Sequence, residues 1–187
     1  MKKTISICVL ILFLSCKENY TPKPKAFFKL NFPEKIFQQY NQDCPFTFQF
    51  PVYSKVEVLE KYCFFNLQFP KFDATLHMSY FPLNNNLFIH AEESRDLAYK
   101  HTVKANAISE QPFINHKNQI FGLVYDYEGT TATALQFYLT DSTNHFFRGA
   151  LYFNTEVSDS IAPVSVFLKD DIKHLIESFR WIEKSDS

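Results

Sequence analysis

The sequence predicts an α+β domain in which an antiparallel sheet carries packed helices on one or both faces. Three observations favour this fold class: short runs of alternating apolar and polar residues, two longer segments with helical periodicity, and mostly short connections between them. The chain also contains 22 Phe and 10 Tyr but a single Trp. Because bulky aromatic side chains favour strands and fill the space between a sheet and its helices, we expect an aromatic core.

The first strands are predicted from residue 46 onwards. Residues 46–50 alternate Phe with polar residues between Pro45 and Pro51, which is typical of a strand with one buried face. Residues 56–59, 63–69 and 74–81 continue as short, alternating runs rich in β-forming residues. Together these runs predict an antiparallel meander.

A helix is predicted over residues 87–105. Small and apolar side chains recur there on one side, whereas the charged ones lie mostly elsewhere. Asn84, Asn85 and Asn86 interrupt the strand pattern just before it, and one of them is expected to cap the helix.

The second half of the chain predicts three hairpin-forming strands and a last helix. Residues 120–128, 133–140 and 145–154 are strand-like runs separated by turn-forming residues, so they should pair consecutively and antiparallel. Pro163 suits the first turn of a helix. The apolar stripe of that helix comprises Val164, Phe167, Leu168, Leu175, Ile176 and Phe179.

The N-terminal residues have the layout of a bacterial lipoprotein signal. Lys2 and Lys3 precede an apolar run over residues 5–14, which is shorter than the roughly 20 residues that span a bilayer. Residues 12–16 resemble a lipobox, in which a small residue precedes the cysteine that receives the lipid. We therefore expect cleavage before Cys16 and anchoring through acyl chains such as palmitate on that residue.

The predicted domain organisation has three parts. Residues 1–15 form the signal peptide, residues 16–42 the lipidated N-terminus and tether, and residues 43–183 a single α+β domain. The tether contains Pro22-Lys23-Pro24-Lys25, a composition that favours an extended polyproline II conformation.

The remaining cysteines predict a disulfide. Cys8 lies in the signal and Cys16 takes the lipid, which leaves Cys44 and Cys63 as an even pair in a compartment that permits disulfides. A bridge between them would stabilise the fold, and the alternative is a pair of buried thiols. Neither belongs to a Cys-x-x-Cys pair, so redox catalysis is not expected.

Composition excludes several classes of function. The formal charge is −1 with no large basic patch, which argues against nucleic acid as a partner. Three glycines cannot supply a phosphate-binding loop or a nucleophile elbow, and the six histidines show no metal-ligand spacing. Asp126 and Glu128 share a strand face and could offer acid–base chemistry, but a solvated hairpin end is the favoured interpretation. We therefore expect no catalytic residue, metal or cofactor.

A resemblance covers nearly all of the mature chain, in order. Motifs such as Asp43-Cys44-Pro45-Phe46 are similar to those of the gliding-motility lipoprotein GldD family of Bacteroidetes. The matching segments are residues 22–25, 30–35, 43–46, 84–86, 94–102, 112–115, 139–143 and 147–153. The resemblance implies a part in the gliding apparatus and its type IX secretion system, with the membrane protein GldE as a candidate partner. It supplies no catalytic residue.

The resemblance and the residues together predict a non-enzymatic envelope component that binds other proteins. The chain would face the periplasm, because Lys17-Glu18-Asn19 after the cysteine carries only one acidic residue, unlike the lipoproteins sent to the cell surface. Whether the inner or the outer membrane holds it stays open. The alternative is a lipid- or small-molecule-handling module, or even an enzyme, with a pocket between the Phe-rich sheet and a helix.

The candidate interaction surface combines a loop with a helix face. Polar residues at an element boundary are common in binding sites. The surface comprises Asn84, Asn85, Asn86, Arg95, Asp96 and Lys100.

A second resemblance concerns the fold alone. A strand entering through Phe-x-Phe-x-Phe-Pro, a central helix, a hairpin run and a last helix ending in Glu177-Ser178-Phe179-Arg180 are similar to Mog1/PsbP-like α+β domains. Those domains are mostly accessory and assembly modules, although a shared fold is only an analogy about function.

Overall fold

The computed structural model describes residues 31–100, 105–129, 131–154 and 161–182. From Asn31 onward these residues belong to one compact unit. The two helices within them are α1 (Leu87–Tyr99) and α2 (Ala162–Ser178). The strands within them are β1 (Phe37–Gln39), β2 (Phe46–Thr47), β3 (Gln49–Pro51), β4 (Lys55–Val58), β5 (Phe65–Phe69), β6 (Ala74–Pro82), β7 (Ala105–Asn115), β8 (Ile120–Gly129), β9 (Thr133–Thr140), β10 (His145–Phe153) and β11 (Arg180–Trp181).

The main sheet is antiparallel and has seven strands in the order β4-β5-β6-β10-β9-β8-β7. Two small antiparallel pairs accompany it, β1 with β3 and β2 with β11. The predicted meander is present as β4-β5-β6, and the predicted hairpins as β8-β9-β10. The α+β fold class is therefore confirmed at the level of an antiparallel sheet with two helices.

The predicted strand at residues 46–50 is divided. Phe48 separates β2 from β3, and its carbonyl accepts a hydrogen bond from the Tyr40 N–H (2.8 Å). Phe46, Phe48 and Phe50 are all buried, as the alternation predicts. The prediction that this segment joins the meander was wrong, because its backbone pairs with β1 and β11 while its rings pack against the main sheet.

The predicted helix over residues 87–105 ends earlier, at Tyr99, and Ala105 begins a strand. Strand β7 was missed because it lies at the sheet edge, pairs only with β8 and exposes most of its side chains, among them Ser109, Glu110 and Gln111. It also contains Pro112, which lacks an N–H and is tolerated in a sheet chiefly at such an edge. The face residue His101 lies outside the described residues.

The two faces of the sheet carry different helices. Phe137 on β9 belongs to the large core that includes Leu168 and Ile176 of α2. The next residue, Tyr138, points to the opposite face and packs with the small cluster that includes Ala98 of α1. The helices therefore cover opposite faces of the sheet. Of the two arrangements predicted, helices on one face or on both, the second is present.

The core under α2 is a closed stack of aromatic rings. Phe46, Phe147 and Phe179 are each 0 % exposed, and the Phe46 ring centroid lies 4.7 Å from that of Phe147 and 5.6 Å from that of Phe179. Offset and edge contacts of this kind add to the stabilisation from burial. The space between the sheet and α2 is thus filled by Phe side chains.

The folded unit begins at Asn31, so the predicted boundary at residue 43 needs correction. Phe32 stacks on Phe167 of α2 with centroids 4.4 Å apart, and β1 pairs with β3. These contacts bury apolar surface that a free tether would leave in water. The signal at residues 1–15, Cys16 and tether residues 16–30 lie outside the described residues.

Candidate functional site

A groove of about 490 Å³ opens at one end of the sheet. Its walls come from three places in the chain: the β7–β8 turn around Lys117, the β9–β10 turn around Asp141, and the residues around Trp181 in β11. This volume falls in the range of small-molecule sites. It is the feature on which we build the candidate site.

Both turns in the groove wall are held by side-chain acceptors. The Asn115 side chain accepts the Asn118 N–H (3.2 Å), and Gln119 ends that turn in the left-handed conformation. In the other turn, Asp141 Oδ1 accepts the backbone N–H groups of Thr143 (3.0 Å), Asn144 (2.8 Å) and His145 (2.8 Å). Such acidic side chains commonly fix turns in this way.

Asp141 is committed to its own turn. Burial would raise its pKa, but the three backbone N–H donors outweigh burial and hold the pKa of the carboxyl below its ordinary value. Its Oδ2 also accepts the Thr143 hydroxyl (3.1 Å). Asp141 therefore fixes the turn that forms this wall of the groove.

Trp181 and His145 form the aromatic wall. Their rings stack with centroids 4.9 Å apart, and Phe179 meets the indole edge-on at 4.7 Å. The His145 Nδ1 lies 2.8 Å from the Tyr80 hydroxyl. The Trp181 Nε1 is buried yet has no hydrogen-bond partner among the residues that the structure describes. Buried indole N–H groups usually find an acceptor, so this donor is an exception that asks for an explanation.

Two cationic side chains line the same groove, Lys117 and Arg180. Arg180 donates from one guanidinium nitrogen to the carbonyls of Glu177 (2.9 Å) and Phe179. Within the described part of the chain, neither cation has a carboxylate within ion-pair distance.

The predicted Asn cluster lies at the start of α1. Asn84 and Asn85 are exposed, and Asn85 adopts the left-handed conformation (φ 53°). Asn86 occupies the cap position but does not bond to the helix N–H groups. Its side chain instead accepts the Asn84 N–H (2.8 Å) and lies 3.1 Å from the His90 Nε2, so the predicted cap is present in position only.

The other predicted interaction residues lie towards the far end of α1. Arg95, Asp96 and Lys100 are exposed, and Arg95 lies 4.0 Å from Glu92 and 5.5 Å above the Tyr99 ring. Nine residues of helix separate Arg95 from Asn86, which is about 14 Å at 1.5 Å per residue. The structure therefore places the predicted residues at the two ends of one helix and not in one cluster.

Sequence reasoning missed two apolar residues between those ends. Phe88 is 76 % exposed and Ile89 is 57 % exposed. The sequence does indicate their exposure, because both residues fall outside the apolar side of the predicted helix. The Leu83 N–H also donates to the Asn144 carbonyl of the groove wall (2.8 Å), so the exposed start of α1 adjoins the groove.

A sequence model of the gliding motility lipoprotein GldD family matches residues 17–181. The chain belongs to this family. A comparison with curated proteins finds no match. Membership makes the chain a gliding motility lipoprotein and implies that it is held at a membrane of the cell envelope. No helix within the described residues is long and apolar enough to cross a membrane.

The cysteine pair of this family member forms a disulfide. Cys44 and Cys63 are bonded, with their Cα atoms 5.8 Å apart, inside the range that a bridge requires. Cys44 lies in the turn before β2, and Cys63 lies in the turn before β5 with a positive φ of 54°. The bridge therefore joins the segment that follows β1 to the meander.

An ion pair between the partly exposed Lys35 and the buried Asp171 fastens the N-terminal segment of the domain to α2. Lys35 Nζ lies 3.1 Å from Asp171 Oδ1, and the Tyr53 hydroxyl donates to the other carboxylate oxygen. Lys35 also donates to the Phe167 carbonyl (3.1 Å) and lies 4.5 Å from the centre of that ring. Asp171 is 1 % exposed, and sequence reasoning missed it because its position lies within an apolar helix stripe.

The described residues hold no cluster of His, Cys, Asp or Glu that could bind a metal ion. Asp126, considered for acid–base chemistry with Glu128, forms an ion pair with Lys169 of α2. Lys169 also donates to the Tyr127 carbonyl (3.0 Å). This carboxylate joins β8 to α2.

Proposed function

We propose that the protein is a non-enzymatic component of the gliding apparatus and its type IX secretion system that binds other envelope proteins. Family membership over residues 17–181 is the observation that carries this proposal. Acyl chains on Cys16 would anchor the chain after removal of residues 1–15, with the domain facing the periplasm. The contacts of Phe32 and Lys35 with α2 support this anchoring. A domain tethered through its N-terminus experiences any pull at this segment.

The binding surface is the exposed start of α1, which comprises Asn84, Asn85, Asn86, Phe88 and Ile89. Protein–protein interfaces commonly contain exposed large apolar side chains next to polar ones, and aromatic residues at their centres contribute much of the binding free energy. Phe88 is the most exposed of the large apolar side chains that the structure describes. Arg95, Asp96 and Lys100 extend this surface along the helix as a polar rim.

GldE is the partner that we propose for this surface. The test is chemical crosslinking and affinity purification of the intact lipoprotein from its own envelope, comparing wild type with Phe88→Ala/Ile89→Ala. We expect recovery of GldE to fall about tenfold or more, since hot-spot residues cost at least about 2 kcal/mol when truncated. The triple variant of Arg95, Asp96 and Lys100 to Ala should lose less.

The matched control is Val166→Ala, because Val166 is also a large apolar residue and is 61 % exposed, but on α2. Its recovery of GldE should equal that of wild type. If neither set of α1 variants changes the recovered proteins or gliding, this surface is not the binding site. If GldE is absent from every preparation of the wild-type complex, the named partner is wrong.

A second candidate function is handling of a small molecule. The specific observation that favours it is the groove at Trp181, since the space under α2 is filled.

We also propose the finer fold relation to Mog1/PsbP-like domains, which rests on the order of strands and helices. Superposition of an experimental structure on those domains would test it.

A further inference from the structure

We propose that the binding surface at the start of α1 continues onto the turn between β4 and β5. The two parts together receive one protein partner, which presents an apolar contact face and one projecting apolar side chain. The part contributed by the turn, called here the turn patch, comprises Val58, Leu59 and Tyr62. This inference rests on the proposed function, because it extends the same surface and specifies what its partner must present.

The exposed apolar area at the start of α1 is too small to carry a stable complex. Because a large apolar side chain presents roughly 150–200 Å² when fully accessible, the exposed fractions of Phe88 and Ile89 correspond to about 250 Å². A standard interface buries about 800 Å² on each partner, of which about 450 Å² is apolar. The start of α1 therefore needs a second apolar patch beside it.

The turn patch supplies the missing area. Val58 is 67 % exposed, Leu59 40 % and Tyr62 54 %. On the same basis these three side chains present about 300 Å², which brings the whole surface to about 550 Å². This value exceeds the apolar share of a standard interface, and apolar patches of roughly 300–600 Å² are often functional.

Stacked rings and one lysine join the turn patch to α1. Lys61 belongs to the turn, and its Nζ lies 4.1 Å from the ring centroid of Phe64 and 5.0 Å from that of Phe81. The Phe81 centroid lies 5.2 Å from that of Phe64 and 4.9 Å from that of His90, which follows Ile89 in α1. All three rings are partly exposed. The two patches are therefore neighbours on one continuous surface.

A pocket of about 250 Å³ opens within the turn patch. It lies between the β4–β5 turn and residues 40–44, and the whole turn patch lines it. This volume is below the roughly 300–1,000 Å³ of small-molecule sites, and it suits a single side chain. The disulfide between Cys44 and Cys63 ties the two walls together, which lowers the entropic cost of binding. Interface anchors commonly fill such preformed pockets, so the partner contributes the projecting side chain.

The point at which the tether joins the domain favours a protein over a lipid surface as the occupant. The domain begins at Asn31, and the Phe32 ring packs on Phe72, which lies just after β5, with centroids 6.1 Å apart. The turn patch precedes β5 and so lies at the other end of that strand. Five strand residues span roughly 17 Å. The anchor thus holds the domain by the end opposite to this surface.

The test is site-specific photocrosslinking of the full-length lipoprotein in its own envelope. A benzophenone amino acid replaces Phe88 or Tyr62, and the same replacement of Val166 is the matched control, because Val166 is 61 % exposed on α2, which covers the other face of the sheet. We expect the first two positions to give the same GldE adduct and the control position to give none.

A second arm measures recovery of GldE by affinity purification. Leu59→Ala/Tyr62→Ala should reduce recovery at least about fivefold, whereas Val166→Ala should leave it unchanged. Equal melting temperatures of the variants and wild type check that these exposed substitutions leave the fold intact.

The outcomes separate this inference from the proposed function. A GldE adduct from the Phe88 position alone, with wild-type recovery in Leu59→Ala/Tyr62→Ala, overturns the extension and leaves the α1 surface in place. No GldE adduct from either position overturns both. An adduct of the Tyr62 position with lipid, or with a second copy of the chain, in place of GldE also overturns the inference.

Discussion

Replacement of Lys35 by Met should destabilise the domain by about 2–3 kcal/mol at neutral pH. Methionine keeps the length of the side chain but removes the amine that lies 3.1 Å from Asp171 Oδ1. At that distance Coulomb attraction is about 1.3 kcal/mol in water and about 5 kcal/mol at an effective dielectric constant of 20. The Lys35 side chain is 33 % exposed and that of Asp171 is 1 % exposed, so the value falls between these limits. Removal of one partner leaves a buried charge uncompensated.

The pH dependence of this effect has a definite sign. Burial raises the pKa of Asp171, while the Tyr53 hydroxyl and the Lys35 amine oppose that rise. A carboxyl whose pKa is raised in the folded state adds stability below its unfolded pKa of about 4, and that stability is lost as pH rises through the folded pKa. Without Lys35 the folded pKa rises further. The penalty for Lys35→Met should therefore be largest at pH 7 and shrink as the pH approaches 4.

The assay is denaturant unfolding of wild type, Lys35→Met, Asp171→Asn and the double variant at pH 7 and near pH 4. In the Asp171→Asn background, Lys35→Met should cost much less, because no buried charge remains to be compensated. Lys173→Met, at an exposed lysine of the same helix α2, should change stability by less than about 0.5 kcal/mol. A penalty that is independent of pH, or that is unchanged in the Asp171→Asn background, would refute the role given to this ion pair.

Three further predictions follow from the cysteines and from one close contact. Loss of the Cys44–Cys63 bridge through Cys44→Ser/Cys63→Ser should lower the free energy of unfolding by about 3 kcal/mol, as measured by denaturant titration, since it closes a loop with a sequence separation of 19. Cys16→Ser should abolish fatty-acid labelling, and labelling that persists would contradict the anchor. Gly149→Ala should lower the melting temperature by several degrees, because its Cβ would lie 2.3 Å from the buried Phe137 ring.

Local pattern predicted the elements in which β-forming residues or an apolar helical stripe recur between turn-forming residues. Strand β9 is found over Thr133–Thr140 as predicted, and α2 begins at the turn that Pro163 indicated. Strand β7 could not be predicted in this way, since most of its side chains are exposed and its polar and apolar residues do not alternate regularly. The pairing of β2 with β11 was also out of reach, because its two strands lie far apart in the sequence.

The sequence by itself determined the fold class, the aromatic core and the family, because each depends on residue type and order along the chain. Only the tertiary structure decided which side chains converge. Lys35 meets Asp171 from the opposite end of the domain sequence, and the Trp181 indole comes beside Lys117 and Asp141 through turns that lie in separate hairpins. Such contacts depend on how the sheet folds back on itself, and no local spacing encodes them.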